Sequence, residues 1–103
     1  MKKSAAPEPL WRDVVGTELR LRRRRRGDTL AEVAQRAGVS PQYLSEMERG
    51  RKEPSSEMLA AVAGALESSL LDLTMAAAEQ LRERATVAAG SHAQVRSLFT
   101  LAA

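Results

Sequence analysis

The stretch from Gly27 to Gly50, GDTLAEVAQRAGVSPQYLSEMERG, gives the backbone a new start or stop signal every few residues, and this rhythm limits the fold more than any other feature of the chain. Thr29 followed by Glu32 forms a capping box, in which hydroxyl and carboxylate satisfy free backbone N–H groups at the start of a helix. Gly38 closes that helix, because glycine enters the left-handed conformation of a helix exit without a Cβ penalty. Ser40 caps the next one, Pro41 takes the first position where a missing N–H costs nothing, and Gly50 stands at the exit. Leu30, Val33, Ala34 and Ala37 share an inward face between those marks. Upstream, Trp11, Val15 and Leu19 recur at i, i+4 and i+8 in a helix over Trp11 to Arg26 that Gly27 ends. Downstream, a helix follows Ser55 or Ser56 with Met58, Leu59, Val62 and Leu66 as its buried set. Ser69 and Asp72 make a further capping box, opening a last helix from about Leu70 to Ala89 with Gly90 as its stop. No alternating β-branched or aromatic run and no Asn-Gly or Asp-Gly turn is present. The expectation is an all-α domain of five helices.

The totals narrow the function. A chain of 103 residues holds one small domain and an appendage. It has no cysteine and one histidine, His92, so thiolate or histidine metal centres are not expected, nor is a cofactor. The N-terminal MKKSAAPEPLW lacks the apolar run of a signal peptide, and no window is long and apolar enough for a membrane span, so a cytoplasmic, nucleoid-associated protein with no membrane partner is expected. No nucleophile and base pair or phosphate-binding glycine loop stands out, which speaks against an enzyme. Charge is polarised: residues 1–54 hold 13 Lys and Arg against 8 Asp and Glu, while residues 55–103 hold 3 against 5. A basic half is the footprint of a nucleic-acid binder, and three aromatics, Trp11, Tyr43 and Phe99, are too few for a single-strand stacking platform.

A helix of about eight residues, a glycine turn and a second capped helix is the pattern of a helix-turn-helix, whose second helix enters the major groove of duplex DNA. On a wheel centred at Leu44, Pro41, Met47 and Glu48 lie within about 60° of it and face the domain. Gln42, Glu46 and Arg49 cluster opposite, flanked by Tyr43 and Ser45. Gln, Glu and Arg are the side chains that suit adenine, the cytosine amino group and guanine.

The segment AGVSPQYLSEMERGRKEPS resembles the Cro/C1-type (lambda repressor-like) helix-turn-helix family, over about Gly16 to Leu73. LWRDVVG at 10–16, TLAEVA at 29–34 and YLSEMERGRKEPSSE at 43–57 are similar, more narrowly, to the actinobacterial Clp-gene regulators. The resemblance implies a dimeric transcription regulator, usually an activator of Clp protease and chaperone genes, with RNA polymerase as a partner. By it, Gln42, Tyr43, Ser45 and Glu46 meet bases or nearby backbone, Ser40 bonds a phosphate, and Arg49, Arg51 and Lys52 sit along the phosphates. Glu48 pairs internally with Arg23. Two positions depart from the broad family: Leu30 stands where many members have glutamine, and Arg22 where many have leucine.

Arginine fills six of the seven positions 20–26, broken by Leu21. Five consecutive residues sweep through about 400° of helix, so Arg22 to Arg26 ring the helix end and do not face one ligand. Arg23 and Arg26 fall near the buried face, where they can pair with Glu48, and Arg24 and Arg25 point outward toward DNA phosphates. In the last helix Leu70, Leu73, Ala77, Leu81, Ala85 and Ala88 share a stripe opposed by Asp72, Glu79, Glu83 and Thr86. Beyond Met75 this stripe is expected to meet a second copy through Met75, Ala77, Leu81, Ala85 and Ala88, giving a homodimer on a palindromic operator; the rival is packing back onto the first helix. Leu101, Ala102 and Ala103 resemble the ending of the bacterial tag that delivers proteins to Clp unfoldases, so Clp protease is expected as the degrader. The division is then a tail at 1–9, a DNA-binding domain at 10–73, a dimerisation extension at 74–90 and a tail at 91–103. The competing reading is an antitoxin-like repressor that binds a partner protein through residues 74–103, and a third is non-specific nucleoid binding.

Overall fold

The computed structural model describes residues 10–89. Over them the chain forms five helices and no strand: α1 (Trp11–Arg26), α2 (Leu30–Ala37), α3 (Pro41–Glu48), α4 (Ser56–Ala65) and α5 (Leu70–Ala89). The caps follow the side chains. Glu32 N–H donates to Thr29 Oγ1 at 3.1 Å and Thr29 N–H donates to Glu32 Oε1 at 2.8 Å, completing the capping box. Tyr43 N–H donates to Ser40 Oγ at 3.0 Å and Met58 N–H to Ser55 Oγ at 3.1 Å. Gly27 and Gly38 both take φ of 76° at the helix exits. At α5, Asp72 N–H donates to Ser69 Oγ at 2.9 Å.

One core joins all five helices. Val14 and Leu19 of α1, Val33 of α2, Leu44 and Met47 of α3, Val62 of α4, and Leu73 and Ala77 of α5 are each at most 1% exposed. Full burial of a Val, Leu or Met side chain contributes about 1.5–3 kcal/mol, so this shared interior is the main favourable term in folding.

The packing departs from the sequence reading in three places. Val14 is as buried as Val15 and Leu19, while Trp11 is only half-buried, because α1 lies between α3 and α5 and is covered on two sides. Pro41 is exposed, its ring lying at the open end of α3 and not against the domain. The third departure concerns α5, which packs back onto α1. Ala77 is fully buried and so is not free to meet a second copy, while Leu81 is half-buried against the protomer's own core. Met75 and Ala85 are exposed, and the Ala88 side chain lies outside the described residues. The boundary expected between 73 and 74 therefore falls inside one continuous helix tied to one core. The expected tails at 1–9 and 91–103, with Leu101, Ala102 and Ala103, lie outside the described residues.

Polar joints brace this arrangement. The buried carboxylate of Glu18 receives Arg22 Nε at 2.7 Å and Gln80 Nε2 at 2.6 Å, and Arg22 Nη1 donates to Ser68 Oγ at 2.8 Å. Arg22, a departure from the family's leucine, is thus a bridge from α1 to the start of α5. Asp28 accepts from Arg26 Nε at 2.8 Å and Arg36 Nη2 at 2.6 Å, and these two guanidinium groups hold its carboxyl below the usual carboxylate range. Arg36 also donates to the Ala65 carbonyl at the end of α4. Just beyond, Glu67 adopts φ of 57° and accepts from Arg26 Nη1 at 3.1 Å.

Candidate nucleic-acid interface

α3 is short, and an isolated helix of this length is not stable in water. Its position is imposed from behind. Leu44 and Met47 bury themselves in the core, and the carbonyls of Met47 and Glu48 press against Gly16 of α1 so closely that a Cβ at residue 16 would lie 2.7 Å from Glu48 O. Arg23 closes the back with two parallel bonds, Nε to Glu48 Oε2 at 2.7 Å and Nη2 to Glu48 Oε1 at 2.9 Å. This bidentate geometry raises the Arg23 pKa, the hydrogen bonding it donates to Glu48 being the largest cause. Past the helix, Gly50 turns with φ of 74° against Asp13, and its carbonyl accepts from Arg12 Nε at 2.9 Å. Arg51 N–H donates to Glu46 O at 2.9 Å, which starts the following loop close beside the helix.

Two concave surfaces result. Ser40, Gln42, Tyr43, Glu46, Arg51 and Lys52 line one shallow depression, so six residues singled out in the sequence come together on the outer side of α3. Gln42, Arg51 and Lys52 are exposed, and Tyr43 and Glu46 are half-buried, Tyr43 leaning on the core. Arg20, Arg23, Leu30, Ser45, Glu48 and Arg49 line a second groove between α1, α2 and α3. Among the described residues, Glu46, Arg49, Arg51 and Lys52 form no ion pair, which leaves their charges available to a ligand. Glu48 is already paired.

The arginine run divides in two. Arg22 is paired with Glu18, Arg23 with Glu48, and Arg26 with Asp28 and Glu67 and not with Glu48. Arg20, Arg24 and Arg25 have no carboxylate within ion-pair distance among the described residues. Helical rotation separates them further: Arg20 lies about 60° from Arg23, Arg24 about 100°, and Arg25 about 200°. Arg25 therefore projects from the side of α1 turned away from α3. Arg20 was hidden in the sequence by the run itself, and only its place in the groove beside Arg49 singles it out.

Among the described residues no group of three or more His, Asp or Glu could hold a metal ion, and no single helix is long and apolar enough to cross a membrane. A capped pair of short helices with a polar outer face on the second defines a DNA-binding helix-turn-helix protein. The profile of the helix-turn-helix family HTH_3 matches residues 19–73, and the chain belongs to that family. It is a transcriptional regulator similar to ClgR. The transcriptional regulator ClgR of Mycobacterium tuberculosis is 48% identical over 79 residues, covering 77% of this chain and 70% of that protein. The crystal structure of the clp gene regulator ClgR from Corynebacterium glutamicum superposes with a TM-score of 0.74 at 50% identity, covering 78% of this chain and 85% of that one. The restriction-modification controller protein C.Esp1396I, solved as a tetramer with its natural 35 base-pair operator, shares the fold at a TM-score of 0.66 and 19% identity, covering 72% of this chain and 97% of that one.

Proposed function

We propose that the chain is a sequence-specific regulator that reads duplex DNA with Gln42 and Glu46 of α3, Tyr43 and Ser45 standing beside them. The observation that carries this reading is the convergence of Ser40, Gln42, Tyr43, Glu46, Arg51 and Lys52 on one open surface of a helix locked from behind. Ser40, Arg49, Arg51 and Lys52 hold phosphates, joined by Arg20 and Arg24 from α1. Arg25 takes no part, since its side of α1 faces away. Loss of both base-reading side chains is expected to reduce discrimination by about 2 kcal/mol or more, roughly 30-fold. The test is to select bound duplexes from random DNA and compare the wild type with Gln42→Ala/Glu46→Ala. A folded double variant that keeps the same preference over scrambled duplex rules the reading out.

The regulator acts as a homodimer on a palindromic operator, two recognition helices meeting half-sites about 34 Å apart. With Ala77 buried and Leu81 half-buried, the contact passes to the outer side of α5, where Leu71 and Met75 are 66% and 62% exposed and Ala85 continues the stripe. Met75→Asp is expected to give a monomer by light scattering after size exclusion; an unchanged mass places the contact elsewhere. The similarity to clp gene regulators supports Clp protease and chaperone genes as targets, with activation through RNA polymerase. Proteolysis through Leu101, Ala102 and Ala103 limits its level. Ala102→Asp/Ala103→Asp is expected to lengthen the half-life in cells severalfold, and an unaltered half-life removes that element.

A further inference from the structure

Besides the apolar packing of Leu73, Ala77 and Leu81, two polar contacts tie the α5 region to α1, and both run through one ion pair. Arg22 Nε and Glu18 Oε2 are 2.7 Å apart, in a place where Glu18 is buried. From this pair, Arg22 Nη1 reaches Ser68 Oγ at 2.8 Å, just ahead of α5, and Glu18 Oε1 accepts from Gln80 Nε2 at 2.6 Å, midway along it. Gln80 lies about 15 Å along α5 from Leu70 at about 1.5 Å per residue, and Ser68 stands two residues before that start. Two separated anchor points add a directional constraint to the crossing angle that the packed side chains of Leu73, Ala77 and Leu81 allow, and they narrow the scatter that such packing leaves. On its other side α1 is keyed to α3 through Gly16 and the Arg23–Glu48 pair. α1 is therefore a strut whose two faces set α3 and α5 relative to each other.

We propose that the Glu18–Arg22–Gln80 set makes α1 the spacing gauge of the dimer. By holding α5 at one angle it fixes the separation and twist of the two recognition helices, and so selects operators by the distance between their half-sites. This rests on the reading of α3 as the DNA-reading helix and of α5 as the dimer contact. Gln80 and Glu18 touch no DNA and act as positioning residues. One base pair added at the centre of a palindrome rotates the half-sites by about a tenth of a turn. A rigid dimer rejects that change, and a swivelling one absorbs it.

The test uses a palindromic duplex selected from random DNA by the wild-type protein, its derivatives with one central base pair added or removed, and a duplex carrying a single half-site. Fluorescence anisotropy is read for the wild type, Gln80→Leu, and the exchange Glu18→Gln/Gln80→Glu, in which the amide at 18 donates to the carboxylate at 80 while its oxygen still accepts from Arg22, so both hydrogen bonds are kept although the ion pair becomes a neutral contact. The wild type is expected to lose about tenfold or more in affinity when the spacer changes. Gln80→Leu is expected to lose less than about threefold while binding the single half-site as the wild type does, and the exchange to restore the preference. A Gln80→Leu protein that keeps the wild-type spacer preference, or that loses single half-site binding in parallel, overturns the proposal, as does an exchange variant with no restored preference. A wild type indifferent to spacing while still binding the selected palindrome more tightly than the single half-site overturns the gauge, and one that binds the single half-site as tightly as the palindrome overturns the dimer reading on which the gauge rests.

Discussion

Glu48→Ala is expected to cost about 3–5 kcal/mol of unfolding free energy, because it strands the Arg23 guanidinium without its partner. The two side chains are 14% and 6% exposed and are joined by two short bonds, so water from the adjoining groove replaces the carboxylate only in part. For a domain of this size such a loss lowers the melting temperature by about 12 °C or more, measurable by circular dichroism. A shift of less than about 4 °C would mean that the pair is nearly neutral, with Arg23 swinging out into solvent. Replacing both partners by Arg23→Met and Glu48→Leu is expected to recover most of the loss, since no unpaired charge is left inside. The apolar pair would be stable yet would lose the bidentate lock on the end of α3, so DNA affinity is expected to recover less than stability does.

Gly16→Ala is the second large effect. In an open helix the change would help by up to about 1 kcal/mol. Here the added methyl would lie 2.7 Å from Glu48 O and 3.0 Å from Glu48 C, and nearer still to Met47 O. These are backbone atoms held by the helix ladder of α3, so α1 and α3 must separate, at a cost of about 1–3 kcal/mol. Gly64 of α4 provides the internal contrast: a Cβ there meets nothing within 4 Å. Gly64→Ala is expected to stabilise by about 0.5–1 kcal/mol through the helix propensity alone. Denaturant titrations of the two variants should move in opposite directions. If Gly16→Ala is as stable as the wild type, the contact of α1 with α3 is looser than these distances require.

How far the fold was legible depended on the kind of signal. Thr29, Glu32, Gly38, Ser40 and Pro41 act on backbone groups within a few residues of themselves, and local chemistry of this sort is readable from a string. The outward set on α3 was legible for the same reason, because Leu44 fixes one side of a short wheel and Gln42 and Glu46 fall on the other. What α5 packs against was not legible. A stripe such as Leu73, Ala77 and Leu81 shows that something covers it, and the identity of the cover depends on the tertiary path. Val14 was missed because a single-face wheel cannot describe a helix enclosed from two sides. Arg20 and Arg22 were obscured by equal neighbours: in a run of arginines the sequence carries no mark separating Arg22, which bridges to Ser68, from Arg24, which does not.

The contacts between α1 and α5 join residues as far as 62 positions apart, as in the bond from Gln80 to Glu18. On a ribosome adding about 5–20 residues per second, α1 is made several seconds before the helix that covers its second face. During that interval the side of α1 that carries Glu18 lacks its cover, and closing so long a loop carries an entropic cost that only the completed α5 can offset. The nascent chain thus holds the residues of its recognition helix before the framework that positions them is complete, so competence for DNA waits for α5.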